Sequence, residues 1–305
     1  MGETPEAAAT GCGRVLAGAT SWADRSLVRD GTFYPRKTMT ATARLAHYCN
    51  RLPLAEVATT FRFPPTPDLA AQWAERTPDG FTLDIRGWSL LTGSPTLPDS
   101  LWPDLATEVK PHARDNRRLY PGHLAPDVLE ECWARFSHAL DPLRRAGRLG
   151  VVILRYPRWF SPRADSWTEL AAIRRRLPGT EVAVELHNRA WMEGDQCEET
   201  FGWLEEHGLS LVCIDGPRGG ERALPAVVAA TAEVALVRFC GRRCVEGEPW
   251  TWPYRYGPSE LAEWLPDIAD LASSAREVHL LFDNTWGADA VDGATTLLEL
   301  LGTAR

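Results

Sequence analysis

The chain has no CxxC pair, no HxH, HExxH or DxD cluster, and no GxGxxG, Walker-type GKS/GKT or GxSxG motif. These absences remove the sequence signatures of zinc modules, dinucleotide and nucleoside triphosphate sites, and the serine-hydrolase elbow. No apolar stretch approaches the roughly 18 residues that span a bilayer. The opening MGETPEAAAT lacks the basic region and apolar core of a signal peptide, so a cytoplasmic protein with no membrane attachment is expected. Cysteines stand at Cys12, Cys49, Cys132, Cys197, Cys213, Cys240 and Cys244, an odd count with several inside apolar runs. That pattern predicts free, mostly buried thiols in a reducing compartment. Cys240 and Cys244 have no further ligands nearby, so neither a metal nor another cofactor is expected.

What is present is a core. Of 305 residues, 44% are hydrophobic and 24% charged, the balance of a soluble globular protein. Net charge is −8, which favours solubility and argues against binding nucleic acid through phosphate neutralisation. Residues 1–13 are small and polar and read as a loose tail; a single domain over 14–305 follows.

Within it, apolar runs predict eight strands, at 15–20, 54–58, 81–86, 149–154, 181–185, 209–214, 233–239 and 277–282. Helices are expected at 38–50, 67–76, 126–146, 165–176, 196–207, 222–231, 258–273 and 288–301. The helix at 126–146 is the clearest: Leu129, Cys132, Trp133, Phe136, Leu140 and Leu143 share a face, Pro126 suits its first turn and Gly147 its end. Eight strands alternating with eight helices favour an α/β TIM (β/α)8 barrel over an open sheet. The irregular stretch 87–125 fits a long loop after the third strand, of a length that is usually functional or mobile.

Five of these runs end on a charge: Arg155, Glu185, Asp215, Arg238 and Asp283. In a barrel they would gather at the C-terminal rim, where ligands bind. The same rim collects Thr20, Ser21 and Trp22; Glu56 and Thr60; Asp84, Arg86 and Trp88; His187 and Asn188; and Asn284 and Trp286. Buried ion pairs that merely tie strands together would explain any one of these charges. Recurrence at one end of so many strands favours a site. Arg86, Arg155 and Arg238 suit an anionic or hydroxyl-rich ligand, with Thr20, Trp22, Thr60, Asn284 and Trp286 around it. Glu56, Glu185 and Asp283 are candidates for proton transfer, because closely spaced carboxylates drive their pKa values apart. His187 is a further acid/base candidate, or else a rim histidine bonded to a neighbour. Trp22, Trp88, Trp191 and Trp286 follow strand ends, either to stack on a ligand or simply to cap the barrel.

The rim segments resemble the YecE-like proteins, known as domain of unknown function 72. Gly18-Ala19-Thr20-Ser21-Trp22 is similar to the family's GTSSW, Phe33-Tyr34-Pro35 to its FYP, and Leu45 to Tyr48 to its LxxY. Glu56-Val57-Ala58-Thr59-Thr60-Phe61 resembles EVNSTFY, and Trp73 with Thr77-Pro78-Asp79-Gly80-Phe81 resembles WxxxTPxGF. Glu185-Leu186-His187-Asn188-Arg189-Ala190-Trp191 stands for EFRHPSW and Phe282-Asp283-Asn284-Thr285 for FNNT. The resemblance runs from about residue 15 to 300 and implies a TIM barrel in a family without an established activity. Glu56, Thr60, Glu185, Arg238 and Asn284 keep the family pattern. His187-Asn188 replaces an Arg-His pair, Ala58 an Asn, Arg62 a Tyr, Arg155 a Gln, Cys240 a His and Asp283 an Asn. The expectation is a metal-independent acid/base enzyme, possibly hydrolytic in type, on a small anionic or sugar-like molecule. A non-catalytic metabolite-binding barrel and a nucleic-acid-binding or repair protein are the alternatives; the latter lacks the clustered His and carboxylate ligands such enzymes use.

Overall fold

In a computed structural model, which describes residues 8–10, 13–219, 223–243 and 253–303, eight parallel strands close on themselves. They are β1 (Gly13–Thr20), β2 (Leu54–Val57), β3 (Thr82–Arg86), β4 (Leu149–Tyr156), β5 (Glu181–Leu186), β6 (Ser210–Asp215), β7 (Val234–Phe239) and β8 (Glu277–Phe282). Closure is made by β1 against β8, in register from Arg14–Glu277 to Ala19–Phe282. All eight predicted strands are present, and the fold is a TIM barrel.

Both faces of each strand are buried, which is why the runs are apolar without alternation. The period of two still decides what each residue meets. Leu16, Leu54, Val151, Ile153, Ala183, Val212, Ile214, Leu236 and Leu281 pack together as the barrel interior. Residues of the other parity, such as Val15, Ala55, Leu83, Val152, Val184, Leu211, Val237 and Leu280, join the helices in a separate outer core. Gly18 allows β1 to approach β2 closely, since a Cβ there would stand 1.9 Å from the Leu54 carbonyl oxygen.

Several helices are shorter than their sequence periodicity suggests, for local reasons. The 126–146 helix is two, Pro126–Ala139 and Asp141–Arg145, divided where Pro142 removes a backbone donor. Likewise 258–273 is split into Pro258–Ala262 and Leu265–Ser274, with Pro266 in the first turn of the second. The expected helix at 222–231 is not formed: residues 223–231 are irregular, and position 222 lies outside the described residues. Pro225 opposes a continuous helix there, and the Thr231 hydroxyl instead donates to Leu209 O and accepts from Leu211 N, tying the segment to the start of β6. A six-residue helix, Arg25–Asp30, was not anticipated; Asp24 caps it through Ser26 N and Gly31 ends it at φ 77°.

Ala8–Thr10, within the supposed loose tail, pair antiparallel with Gly13–Val15; residues 1–7, 11 and 12 lie outside the described residues. The stretch 87–125 is a chain of short turns rather than an open loop. Trp88, Leu90, Leu91, Leu101, Leu105, Val109, Leu119 and Leu124 bury it, and Thr96 bridges to Leu119. Apolar anchors this dense explain why a long connection packs against the barrel.

Candidate functional site

Three guanidiniums and three carboxylates meet inside the C-terminal mouth. Glu56 on β2 is fully buried; its Oε1 lies 2.5 Å from Arg86 Nε and its Oε2 lies 2.7 Å from Arg238 Nη1. Thr20 at the end of β1 donates its hydroxyl to Glu56 Oε2 at 3.0 Å. Arg238 on β7 places Nε 2.8 Å from Glu185 Oε2, an ionic contact off the hydrogen-bond direction. Asp283 Oδ2, just past β8, is 3.5 Å from both Arg86 Nη2 and Arg238 Nη1. Arg155 Nε reaches Glu185 Oε1 at 3.2 Å, and His187 Nε2 reaches the same oxygen at 2.5 Å.

Strand parity builds this constellation. Thr20, Glu56, Arg86, Arg155, Glu185 and Arg238 have the parity of Leu16, Leu54, Ile153, Ala183 and Leu236, so they continue the interior column upward into the mouth. Asp215 has the opposite parity. It turns outward to Arg242 Nε at 2.9 Å and Trp264 Nε1 at 3.3 Å, in a cluster of its own. Ile214 occupies the interior position on β6 instead, with Cys240 and Leu224 against the same apolar cluster.

Other candidates are placed apart from the ion network. The Thr60 hydroxyl is spent on Val57 O and Arg86 O, both at 2.6 Å, and so ties β2 to β3. Asn284 donates Nδ2 to Tyr254 O at 2.8 Å, holding the segment after β7. Trp22, Trp88 and Trp191 are buried caps; the latter two bond Ser100 Oγ and Phe160 O through their indole nitrogens. Trp286 alone of the four is exposed. Ser21, between Thr20 and Trp22, has a left-handed φ of 76°, a strained conformation beside the mouth.

Burial opposes ionisation of Glu56 and Glu185, but the adjacent guanidiniums outweigh it. Arg238 and Arg86 hold Glu56 ionised, and Arg238 and Arg155 hold Glu185 well below the usual carboxylate range. Burial lowers the His187 pKa despite the carboxylate beside it, and burial raises that of the Cys240 thiol. The mouth at neutral pH therefore pairs fixed charges with a neutral imidazole and a protonated thiol. Among the described residues no group of three His, Cys, Asp or Glu is arranged to hold a metal ion. Cys244, the partner weighed for Cys240, lies outside the described residues.

A second polar cluster lies deeper and was not anticipated as one. His279 Nδ1 is 3.0 Å from Asp84 Oδ2, its Nε2 is 3.2 Å from Glu277 Oε2, and Asp84 Oδ1 accepts from Val151 N at 2.9 Å. Gly150 makes the room: a Cβ there would lie 2.2 Å from Asp84 Oδ1. The sequence signal was a lone histidine inside the run EVHLLF, two residues from Leu281 and hence inward-facing.

The model of the family described as "Protein of unknown function DUF72" matches residues 16–305. The chain belongs to the DUF72 family. It is 26% identical over 297 residues to the UPF0759 protein YunF of Bacillus subtilis, covering 94% of each chain. A solved DUF72 family protein from Enterococcus faecalis superposes with a TM-score of 0.76 at 21% identity, covering 94% of this chain and 95% of the other. One from Thermotoga maritima gives 0.72 at 21% identity, covering 94% and 99%. At such identity these DUF72 structures speak for the fold alone. Among the described residues no helix is long and apolar enough to cross a membrane.

Proposed function

We propose that the barrel mouth of this DUF72 protein is the site of a metal-independent acid/base reaction on a small polar molecule, with His187 moving the proton. The supporting observation is the 2.5 Å contact between His187 Nε2 and Glu185 Oε1, in a site where Glu185 is itself braced by Arg155 and Arg238. An imidazole that donates its Nε2 proton to a carboxylate carries its basic lone pair on Nδ1. Its lowered pKa keeps it neutral and able to accept a proton at pH 7, and Glu185 then stabilises the imidazolium. Arg86 and Arg155, the guanidiniums with exposed surface in the mouth, would face negative charge developing on the substrate, with Arg238 sealed beneath them. Glu56 and Glu185, both held ionised, serve this reading as fixed charges rather than as proton donors. In a hydrolytic version, His187 activates a water.

The test is a metabolite-library thermal-shift screen of the wild type beside His187→Gln, followed by turnover assays on each stabilising compound. A compound consumed by the wild type and bound but not consumed by His187→Gln supports the reading; equal turnover by both proteins removes His187 from it. A non-catalytic binding barrel is a second reading, favoured by the saturation of Glu56 with two guanidiniums and the Thr20 hydroxyl, which leaves it no proton chemistry. Stabilisation by a compound that is never converted would support that alternative.

A further inference from the structure

The class of ligand can be narrowed from charge. Arg86, Arg155 and Arg238 are matched one for one by Glu56, Glu185 and Asp283, and every guanidinium already has a carboxylate within 3.2 Å. Among the described residues of this ring, the mouth thus offers donors and acceptors with no surplus cation. A phosphate ester entering it would add close to two negative charges to a partly dry pocket whose arginines are already neutralised. An incoming carboxylate would have to compete with Glu56, Glu185 or Asp283 for the same guanidinium faces.

The reachable edge of the ring has mixed character. Arg155 is 35% exposed, Asp283 20% and Arg86 10%, whereas Arg238, Glu56 and Glu185 are sealed beneath them. A ligand in the mouth therefore meets guanidinium donors and a carboxylate acceptor side by side. A hydroxyl group both accepts and donates, and so satisfies both kinds of neighbour without carrying charge. On the β6 and β7 side, Ile214, Leu224 and Cys240 supply an apolar wall suited to the C–H face of such a molecule.

We propose that the mouth takes an uncharged, polyhydroxylated small molecule, a sugar or polyol, in preference to phosphorylated, carboxylated or zwitterionic ones. The proposal rests on the reading of the mouth as a small-molecule site, but not on His187 catalysis. It excludes the anionic half of the sequence-based expectation and retains the sugar-like half.

The test is isothermal titration of the full chain with glucose, sorbitol, glucose 6-phosphate, gluconate and β-alanine, repeated on Asp283→Asn. Neutral polyols should bind the wild type at least about tenfold more tightly than the phosphate ester or the aldonate. Asp283→Asn leaves one guanidinium charge unmatched and should move that preference toward the anions by about tenfold. Tighter binding of glucose 6-phosphate, gluconate or β-alanine than of glucose and sorbitol by the wild type would overturn the proposal. So would no binding by any probe at millimolar concentration, or an Asp283→Asn preference unchanged from wild type. Retained turnover in His187→Gln, with this binding order intact, would instead sink only the catalytic reading.

Discussion

His187 and Glu185 stand two residues apart at the end of β5, face the same way, and meet at 2.5 Å through Nε2 and Oε1. The contact orients a rim imidazole through a carboxylate that Arg155 and Arg238 hold in place. Removing the two partners should have different consequences. His187→Gln keeps a side chain that can donate to Glu185 Oε1, so its thermal midpoint should stay within a few degrees of wild type while turnover of any identified substrate falls at least about 100-fold. Differential scanning fluorimetry beside a turnover assay separates the two effects.

Glu185→Gln is predicted to act on the fold as well. The residue is buried, and its carboxylate answers both Arg155 and Arg238. A neutral amide leaves Arg238 with reduced compensation in the dry interior, and breaking a buried pair costs about 3–5 kcal/mol. Urea denaturation should show a lower midpoint with an unchanged slope. A midpoint equal to wild type would mean that the Arg238–Glu185 contact carries no structural weight.

Thr60 offers a contrasting case. Its hydroxyl is shared between Val57 O and Arg86 O, so Thr60→Val should cost about 1–3 kcal/mol through two poorly satisfied carbonyls. If Thr60 serves only to join β2 to β3, ligand affinity in calorimetry should be unchanged at temperatures where the variant is folded. A large loss of affinity without loss of stability would return Thr60 to the list of ligand contacts.

These cases show what one sequence reveals and what it hides. Arg86, Arg155, Glu185, Arg238 and Asp283 were legible because a charge that closes an apolar run has few places to go other than a rim, while Glu56 stands out as a charge inside its run. Asp215 closes its run in the same way, but one step of parity sends it outward to Arg242 and Trp264. A rim position alone does not settle direction; the alternation along the strand does. Thr60 and Asn284 matched the family pattern, yet the Thr60 hydroxyl and Asn284 Nδ2 go to backbone carbonyls, a use that residue identity cannot disclose. The helix expected at 222–231 failed because its alanines and valines suggested periodicity while Pro225 and the Thr231 tether to β6 decided the path. His279 gives no strand-end signal, because it lies in mid-strand.

Gly150 tests how tightly that deeper cluster is built. A Cβ at this position would lie 2.2 Å from Asp84 Oδ1, 2.6 Å from Thr82 Cγ2 and 3.2 Å from His279 Cε1. Asp84 cannot retreat without giving up Val151 N or His279. Gly150→Ala should therefore destabilise by about 3 kcal/mol or more, combining overpacking with a disturbed buried pair. A urea midpoint near that of wild type would show that the interior at this level is looser than these distances imply.

The same cluster predicts a loss of stability in alkali. Burial alone would make His279 a weaker base, but Asp84 and Glu277 more than offset it and raise its pKa from 6.5 to about 9. The folded state thus holds the proton more tightly than the unfolded chain does. Its contribution is fully present below about pH 6.5 and disappears as pH rises through about 9. A shift of this size corresponds to about 3 kcal/mol. The wild-type urea midpoint should fall between pH 7 and pH 10. In His279→Gln, which cannot titrate, the midpoint should start lower and change less over that range. Parallel pH profiles for the two proteins would mean that His279 is neutral in the folded barrel, with the proton residing on Asp84 or Glu277.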